Sequence, residues 1–422
     1  MRPVSVVARK RPAVRRVCLC ICTSGGKCDI LICNCNGEKK KGIEMNRLFV
    51  GFTLGAAAVT IAAGDLFAKV ETWGDEKYRP RLFKRFGDIV NVPDGLTQDA
   101  QGNIYHSAPN LVNKDYPGVI VKRDFRNGRW SVLCAGLRSP KTGFGRPMGL
   151  EYCPEDGNLY YCDNQYFDSK DYASRVMRVV LDKNGEAVRI ETAVDNVKLA
   201  NAIRFYKGDM FITDTYFDLD RKDGIGVGGV YRIPLAACKT KTVSLLPKTE
   251  YKKDPYFLCE TETKPLERKD DSGADGLAIT KEGHLYFGTF GSGRFYTAKR
   301  KADGSYEPAK LIFEDPKRFP CCDGICYDEA ENRIIMSDSC LNALHTWDIA
   351  KEKAGKCGFG ELWRNSDDTG ARGLLDQPCE PMVWKDKKGK RKLIVANFDM
   401  TFPGLENKKN DPYHTLSVID LE

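Results

Sequence analysis

The sequence predicts an all-β protein, a six-bladed β-propeller with four-stranded antiparallel blades, and three observations support that prediction. A short motif occurs six times: an apolar strand, a turn rich in glycine or charge, and a second apolar strand that ends in a small polar residue. Further strand-like runs lie between the copies, at about four strands per interval, which is the content of a propeller blade. No long amphipathic helical pattern competes with these strands.

The six copies follow one another along residues 93–397, and the chain on either side of them is predicted to close the ring. The longest interval contains the lysine-rich segment 238–271 and predicts an elaborated loop. The run from His414 to Leu421 and a strand near Phe86 to Val92 are predicted to complete the last blade. The copies are "PDGLTQDAQGNIYHS" from Pro93, "PMGLEYCPEDGNLYYCD" from Pro147, "ANAIRFYKGDMFITD" from Ala200, "GADGLAITKEGHLYFGTF" from Gly273, "CDGICYDEAENRIIMSD" from Cys322 and "CEPMVWKDKKGKRKLIVAN" from Cys379.

The charge of the chain is concentrated at its N-terminal end. The formal net charge is +8, and residues 1–44 hold most of it together with six of the 17 cysteines. Residues 45–422 are therefore close to neutral, which gives no electrostatic support for a nucleic-acid partner. The six N-terminal cysteines also lack the paired spacing and the histidines of a zinc site.

Residues 45–68 have the pattern of a secretory signal. Met45 is followed by Asn46 and Arg47 and then by an apolar run rich in small residues, which is short for a membrane span. We therefore expect residues 1–44 to be an over-extended gene start, the alternative being a genuine cysteine-rich extension. We expect residues 69–422 to form the propeller. The protein is predicted to be exported, periplasmic or secreted, with no stable membrane span after signal cleavage. In an oxidising compartment its remaining cysteines could form disulfides.

The first position of the repeat predicts a ring of side chains at one mouth of the central channel, because the innermost strands of all blades enter from the same face. Oxygen ligands without histidine or cysteine suit a hard ion, most simply Ca²⁺. For any single copy, an Asp-Gly turn before a strand is the simpler explanation. The ring consists of Asp94, Met148, Asn201, Asp275, Asp323 and Glu380.

The end of each second strand predicts another set of polar side chains at the same mouth. A polar residue at such a corner usually hydrogen-bonds to backbone between blades, and we expect that of most members. His106, next to one of them, is a weak candidate for substrate contact, and a Cys322–Cys379 disulfide at the mouth is also considered. The set is Ser107, Asp163, Asp214, Thr289, Asp338 and Asn397.

The motifs resemble the gluconolactonase, regucalcin and luciferin-regenerating-enzyme family of six-bladed propellers. Ala274-Asp275-Gly276 is similar to the family's Pro-Asp-Gly segment, and Ala200-Asn201-Ala202 to its Asn-Gly-Leu segment, with Ala202 in place of the glycine. Pro93-Asp94-Gly95 stands where the family has Glu-Gly-Pro, whereas Glu380-Pro381 in the last blade is more similar to that motif.

The resemblance implies a metal-dependent hydrolase of a lactone or related ester, acting on a small lactone or sugar-acid substrate. It implies Asn201, Asp275 and either Asp94 or Glu380 as metal ligands. The catalytic base would be Asp275 or, as the alternative, Asp323. The competing class is a non-enzymatic secreted propeller that binds a protein or carbohydrate partner and holds a structural ion. A quinone-dependent sugar dehydrogenase ranks last, because the ring positions include no arginine or histidine.

Overall fold

The structure, a computed structural model, describes residues 17–24, 27–34, 70–217, 224–263 and 273–422, in two compact units, Met1–Phe67 and Ala68–Glu422. In the first unit the strands Val17–Ser24 and Lys27–Asn34 pair as an antiparallel hairpin. The predicted signal segment, residues 45–68, and the rest of the predicted leader lie outside the described residues. The division at residues 44 and 68 therefore stays a prediction.

The second unit is a six-bladed β-propeller, as the sequence predicts, and each blade has four antiparallel strands in the order inner, second, third, outer. The second strands are buried almost throughout, since both faces of each blade pack on neighbouring blades. The strands are, in blade 1, Leu96–Gln98, Ile104–Ala108, Val119–Arg123 and Trp130–Ala135; in blade 2, Pro147–Cys153, Asn158–Asp163, Ser174–Leu181 and Ala187–Val197; in blade 3, Ala200–Tyr206, Asp209–Asp214, Gly226–Pro234 and Phe257–Thr263; in blade 4, Ala274–Ile279, Leu285–Thr289, Arg294–Ala298 and Lys310–Glu314; in blade 5, Ile325–Asp328, Arg333–Asp338, Ala343–Asp348 and Phe359–Asn365; in blade 6, Pro378–Lys385, Arg391–Asn397, His414–Asp420 and Arg81–Phe86.

Blade 6 closes the ring by joining strands from both ends of the propeller. Its third strand is the predicted C-terminal run, and its outer strand is Arg81–Phe86, which pairs antiparallel with it. The sequence placed this N-terminal strand a few residues too late, near Phe86 to Val92. Residues 88–90 instead form a 3₁₀ turn, Asp88–Val90. A short strand, Thr72–Gly74, extends the edge of blade 5.

The turn between the inner and second strands has the same backbone requirement in every blade. Each turn contains a residue with positive φ, a conformation in which glycine is favoured and asparagine tolerated. Five blades have glycine at this position and blade 5 has asparagine. These residues are Gly102, Gly157, Gly208, Gly283, Asn332 and Gly389. The glycines and asparagines that interrupt the apolar runs of the sequence thus mark the hairpin tips.

The hydrophobic core lies in the seams between neighbouring blades. Phe211 of blade 3 packs with Phe287 of blade 4 in one buried cluster, and Trp363 of blade 5 packs with Leu393 of blade 6 in another. The closing seam is built in the same way, since Trp384 of blade 6 shares a cluster with residues of blade 1. Burial along every seam fixes the inner strands around one axis.

The long interval between the third and fourth copies is elaborated, as expected. A helix, Leu235–Thr240, leads to the short strand Val243–Ser244, which pairs in parallel with the outer strand of blade 2. A 3₁₀ segment, Lys248–Lys253, then returns the chain to blade 3. The remaining helical elements are Glu76–Tyr78 and Ile349–Lys353. Across the described ranges, no helix has the length and apolarity that crossing a bilayer requires.

Candidate metal and active site

The predicted ring residues all lie where an inner strand begins, at one mouth of the channel. Asp275 and Asn201 are each the second residue of an inner strand. Asp94 and Asp323 precede their strands by two residues, and their backbone N–H groups donate to Ser107 and Ser337 of the second strands at 3.0 and 3.1 Å. The register of each blade therefore brings these side chains to one level.

The glycine after each of four ring residues allows neighbouring inner strands to approach closely. A Cβ at Gly276 would lie 2.0 Å from the backbone oxygen of Asp323, and one at Gly95 would lie 2.5 Å from that of Met148. Gly149 and Gly324 face the next blade in the same way. None of these four glycines has positive φ. The Asp-Gly pairs thus allow close contact between blades.

A cavity of about 640 Å³ opens at this mouth, with acids and an amide at its floor and aromatic side chains in its walls. This volume is in the range of pockets that enclose a small molecule. The floor is formed by ring residues, and the walls come from loops of blades 2, 3, 4 and 6. The lining residues are Asp94, Met148, Asn164, Tyr166, Phe167, Lys170, Leu199, Asn201, Thr215, Asp275, Phe290, Asp323, Gln377, Phe398, Phe402 and Pro403.

Asp94 and Asp275 are buried carboxyl groups without local compensation. Their side chains are 6% and 4% exposed. Burial raises the pKa of Asp94 well above its ordinary value, and the nearby carboxylates of Asp323 and Glu380 raise it further. Burial and the carboxylates of Asp323, Asp94 and Glu380 act on the pKa of Asp275 in the same direction. A bound cation would relieve this repulsion, which otherwise keeps protons on the carboxyl groups.

Asp323 differs because part of its charge is stabilised by a neighbour. The Ser339 hydroxyl donates to its Oδ2 at 2.5 Å. Burial is the largest influence and raises the pKa of Asp323 to about 6, whereas the Ser339 bond lowers it. Taken as a whole residue, Asp323 is less buried than Asp94 and Asp275.

Glu380 is engaged by a basic side chain deeper in the channel. Its Oε1 accepts from Nη2 of Arg204, and Nη1 of Arg204 lies 3.5 Å from Oε2 of Glu151. Burial raises the pKa of Glu380 to about 7, and Arg204 opposes that shift. The pKa of Glu151 is likewise raised by burial to about 7. Only Oε2 of Glu380, which lies next to Gly324, is left for a ligand.

Asp163 and Asp214 of the second polar set bond to backbone, but within a blade, whereas the sequence predicted bonds between blades. Oδ1 of Asp163 accepts from the N–H of Arg146 at 2.7 Å, and Oδ1 of Asp214 accepts from that of Leu199 at 2.8 Å. These bonds stay within a blade, joining the end of its second strand to the residue before its inner strand. Bonds between blades come from hydroxyl groups instead: Oγ of Ser107 donates to the Met148 carbonyl at 2.5 Å.

His106 and the cysteines do not extend the site. His106 is fully buried, stacks on Phe86 with ring centroids 5.5 Å apart, and does not line the cavity. Cys322 and Cys379 are both free thiols, so the disulfide considered between them is absent.

Sequence reasoning missed three contributors to the site. Arg204 lies on an inner strand three residues after Asn201, and a basic residue inside an apolar strand was the available signal. Ser339 follows the second-strand residue Asp338 but belongs to no repeat position. The aromatic wall, including Phe402, comes from loops whose lengths differ between blades, so the repeat pattern contains no sign of it.

The chain is similar to several solved propellers. No protein-family model matches the chain, and no curated protein matches it. A luciferin-regenerating enzyme superposes with a TM-score of 0.51 at 12% identity, over 84% of this chain and 96% of that one. At this identity the similarity shows the fold, and it confirms at that level the resemblance found in the sequence.

Two further neighbours have names that the sequence resemblance anticipated. A putative gluconolactonase has a TM-score of 0.48 and 13% identity, over 84% of this chain and 98% of that one. A regucalcin from Agrobacterium tumefaciens, described as a calcium-binding protein, has a TM-score of 0.48 and 14% identity, over 81% of this chain and 92% of that one.

Proposed function

We propose that the channel mouth binds a divalent cation, most simply Ca²⁺, and hydrolyses a lactone or related ester. The observation that supports this most strongly is that Asp94 and Asp275 are buried carboxyl groups at the cavity floor, and that each lies among the charges of further acids, Asp323 and Glu380. Ca²⁺ takes carboxylate and amide oxygens as ligands. The types of donor atom at the cavity floor therefore suit the ion.

Asp94, Asn201 and Asp275 are the proposed ligands. All three line the cavity, and the pKa of neither carboxyl group is lowered by a basic side chain. Glu380, which the sequence also suggested, contributes at most Oε2, because Oε1 is bonded to Arg204. The pairing with Arg204 favours a supporting role, in which Glu380 adds negative charge behind the floor.

In the proposed reaction the ion and Asp323 have separate roles. A bound cation supplies Lewis acidity, which polarises an ester carbonyl and stabilises the oxyanion that develops there. Asp323 accepts the proton of the attacking water at its carboxylate, which Ser339 holds in one orientation through Oδ2. Asp275, the other candidate base, is buried at the floor and is better placed to hold the ion.

The cavity walls favour a small molecule over a macromolecular partner. Phe167, Phe290, Phe398 and Phe402 enclose the space above the acids. Such walls contact a substrate ring and exclude water from the reacting carbonyl. This arrangement supports the hydrolase over the alternative of a propeller that binds a protein on its loops. The proposed export of the protein rests on residues 45–68 alone.

The first test is hydrolysis of D-glucono-1,5-lactone and of dihydrocoumarin, with Ca²⁺ or with EDTA. We expect hydrolysis above the spontaneous rate that is lost in EDTA and restored by Ca²⁺. Asp275→Asn and Asp323→Asn should each lower kcat/KM by about 100-fold or more, the usual effect of removing one stabilising group. Asp275→Asn should also weaken Ca²⁺ binding, whereas Asp323→Asn should leave most of it.

The matched control is Asp115→Asn, an exposed carboxylate in a loop at the same mouth. It should retain full activity. Wild-type protein that binds Ca²⁺ but hydrolyses neither lactone nor any other ester tested would contradict the proposed reaction and favour a binding role.

A further inference from the structure

A second group of carboxylates lies beside the cavity, in the loops of blade 6. Asp376 precedes the inner strand of this blade, Asp399 follows its second strand, and Asp411 precedes its third strand. One carboxylate oxygen from each lies within 4.8 Å of the other two. Three separate segments of the chain are therefore brought together at one point.

Asp376 has an oxygen that no protein group uses. The residue is fully buried, and its Oδ1 accepts from Nδ2 of Asn407. Its Oδ2 is also buried and has no hydrogen-bond partner. A Cβ at Gly370 would lie 3.1 Å from this oxygen, so the missing side chain leaves room there. A buried carboxylate oxygen without a partner is costly unless something binds it.

The cluster also has an excess of negative charge. Burial, followed by the charges of Asp399 and Asp411, raises the pKa of Asp376. Burial raises the pKa of Asp399 to about 8, although the backbone N–H of Asp411 donates to both of its carboxylate oxygens, at 3.1 and 3.0 Å. Within the described residues, neither Asp376 nor Asp399 forms an ion pair with a basic side chain.

The spacing of these oxygens suits a calcium-sized ion. Ca²⁺ binds oxygen at 2.3–2.6 Å, so two of its ligands lie at most about 5 Å apart. The observed limit of 4.8 Å meets that requirement. We propose that Asp376, Asp399 and Asp411 bind a second divalent cation of the Ca²⁺ type, separate from the ion of the channel floor.

This second ion would fasten one wall of the cavity. The loop between the second and third strands of blade 6, residues 398–413, carries two of the three carboxylates and also Phe398, Phe402 and Pro403 of the cavity lining. An ion that joins Asp399 and Asp411 to Asp376 holds this loop against the start of the inner strand. The second site thus has a positioning role, and it does not depend on the channel mouth being catalytic.

Calcium stoichiometry distinguishes the two sites. In calorimetric titration with CaCl₂ we expect the wild type to bind two ions. Asp376→Asn and Asp399→Asn should each bind one ion, at the channel floor. Asp275→Asn should also bind one, at the second site. Glu406→Gln, which removes a charge from the same loop outside the triad, should still bind two. An unchanged stoichiometry in folded Asp376→Asn and Asp399→Asn would overturn the second site.

Trypsin digestion adds a readout that is specific to the loop, because Lys408 and Lys409 within it are exposed. We expect Ca²⁺ to slow cleavage there at least about tenfold in the wild type and in Asp275→Asn, but not in Asp376→Asn. Equal cleavage of the wild type with Ca²⁺ and with EDTA would overturn the proposal.

If the blade 6 variants do not fold, the wild type and Asp275→Asn, which both keep the triad intact, decide the matter. One ion in the wild type and none in Asp275→Asn would overturn the second site alone. One ion in both would support the second site and contradict the channel site.

Discussion

Asp275 shows that one repeat position can have different environments in different blades. Its carboxyl group is buried, lies among other acids, and receives no offsetting positive charge from a basic side chain. Glu380, the corresponding residue of blade 6, is paired with Arg204. Two equivalent acids thus have different environments, because a basic side chain compensates Glu380 and none compensates Asp275.

His106 provides a residue-scale prediction about pH. Burial lowers the pKa of His106 from 6.5 to about 4, while its Nδ1 lies 3.1 Å from the Gly95 carbonyl oxygen. Below pH 6.5 His106 is protonated in the unfolded chain, whereas in the folded protein it stays neutral down to about pH 4. The free energy of unfolding therefore falls as the pH falls. From pH 7 to pH 5 this loss amounts to about 2 kcal/mol.

The prediction is checked by urea unfolding of the wild type and of His106→Gln at pH 7 and pH 5, in saturating Ca²⁺. The wild type should lose about 2 kcal/mol more over this interval than the variant does. An equal loss in both proteins would show that His106 takes up its proton in the folded state.

At the scale of the element, the inner strands depend on glycines that have no side chain to separate the blades. Gly276→Ala places a Cβ where the Asp323 backbone oxygen lies, 2.0 Å away. We expect a loss of about 1–3 kcal/mol in unfolding free energy, as for other overpacked sites. Ca²⁺ affinity should also fall, because Asp275 and Asp323 flank the contact.

Gly87→Ala is the control for this substitution. Gly87 has φ −92° and nothing within 4 Å of an added Cβ. Its stability should change by no more than about 1 kcal/mol. If Gly276→Ala and Gly87→Ala unfold at the same urea concentration, the close approach of blades 4 and 5 is contradicted.

The strands could be predicted because their signals are local. Short apolar runs mark the inner and second strands, and glycine or asparagine marks the turn between them, as at Gly283 and Asn332. The closing strand, Arg81–Phe86, was placed too late because pairing with His414–Asp420 is a contact between the two ends of the propeller. Such pairing leaves no mark in the neighbouring sequence.

At the scale of the whole molecule, the ring geometry explains which parts of the site were predictable. Convergence of Asp94, Asn201, Asp275 and Asp323 follows from a repeat that places equivalent residues around one axis. The pairing of Arg204 with Glu380 crosses the channel between blades 3 and 6, and such a contact requires coordinates. The aromatic wall and the carboxylates of Asp376, Asp399 and Asp411 lie in loops outside the repeat.

The central claim is that the channel floor binds a cation, and the most direct measurement is anomalous diffraction from crystals grown in CaCl₂. We predict an anomalous peak at the floor, with oxygens of Asp94, Asn201 and Asp275 at about 2.3–2.6 Å. The peak should be absent from crystals of Asp275→Asn. A well-ordered wild-type floor that holds only water at saturating Ca²⁺ would contradict the claim, and the acids would then be a protonated structural ring.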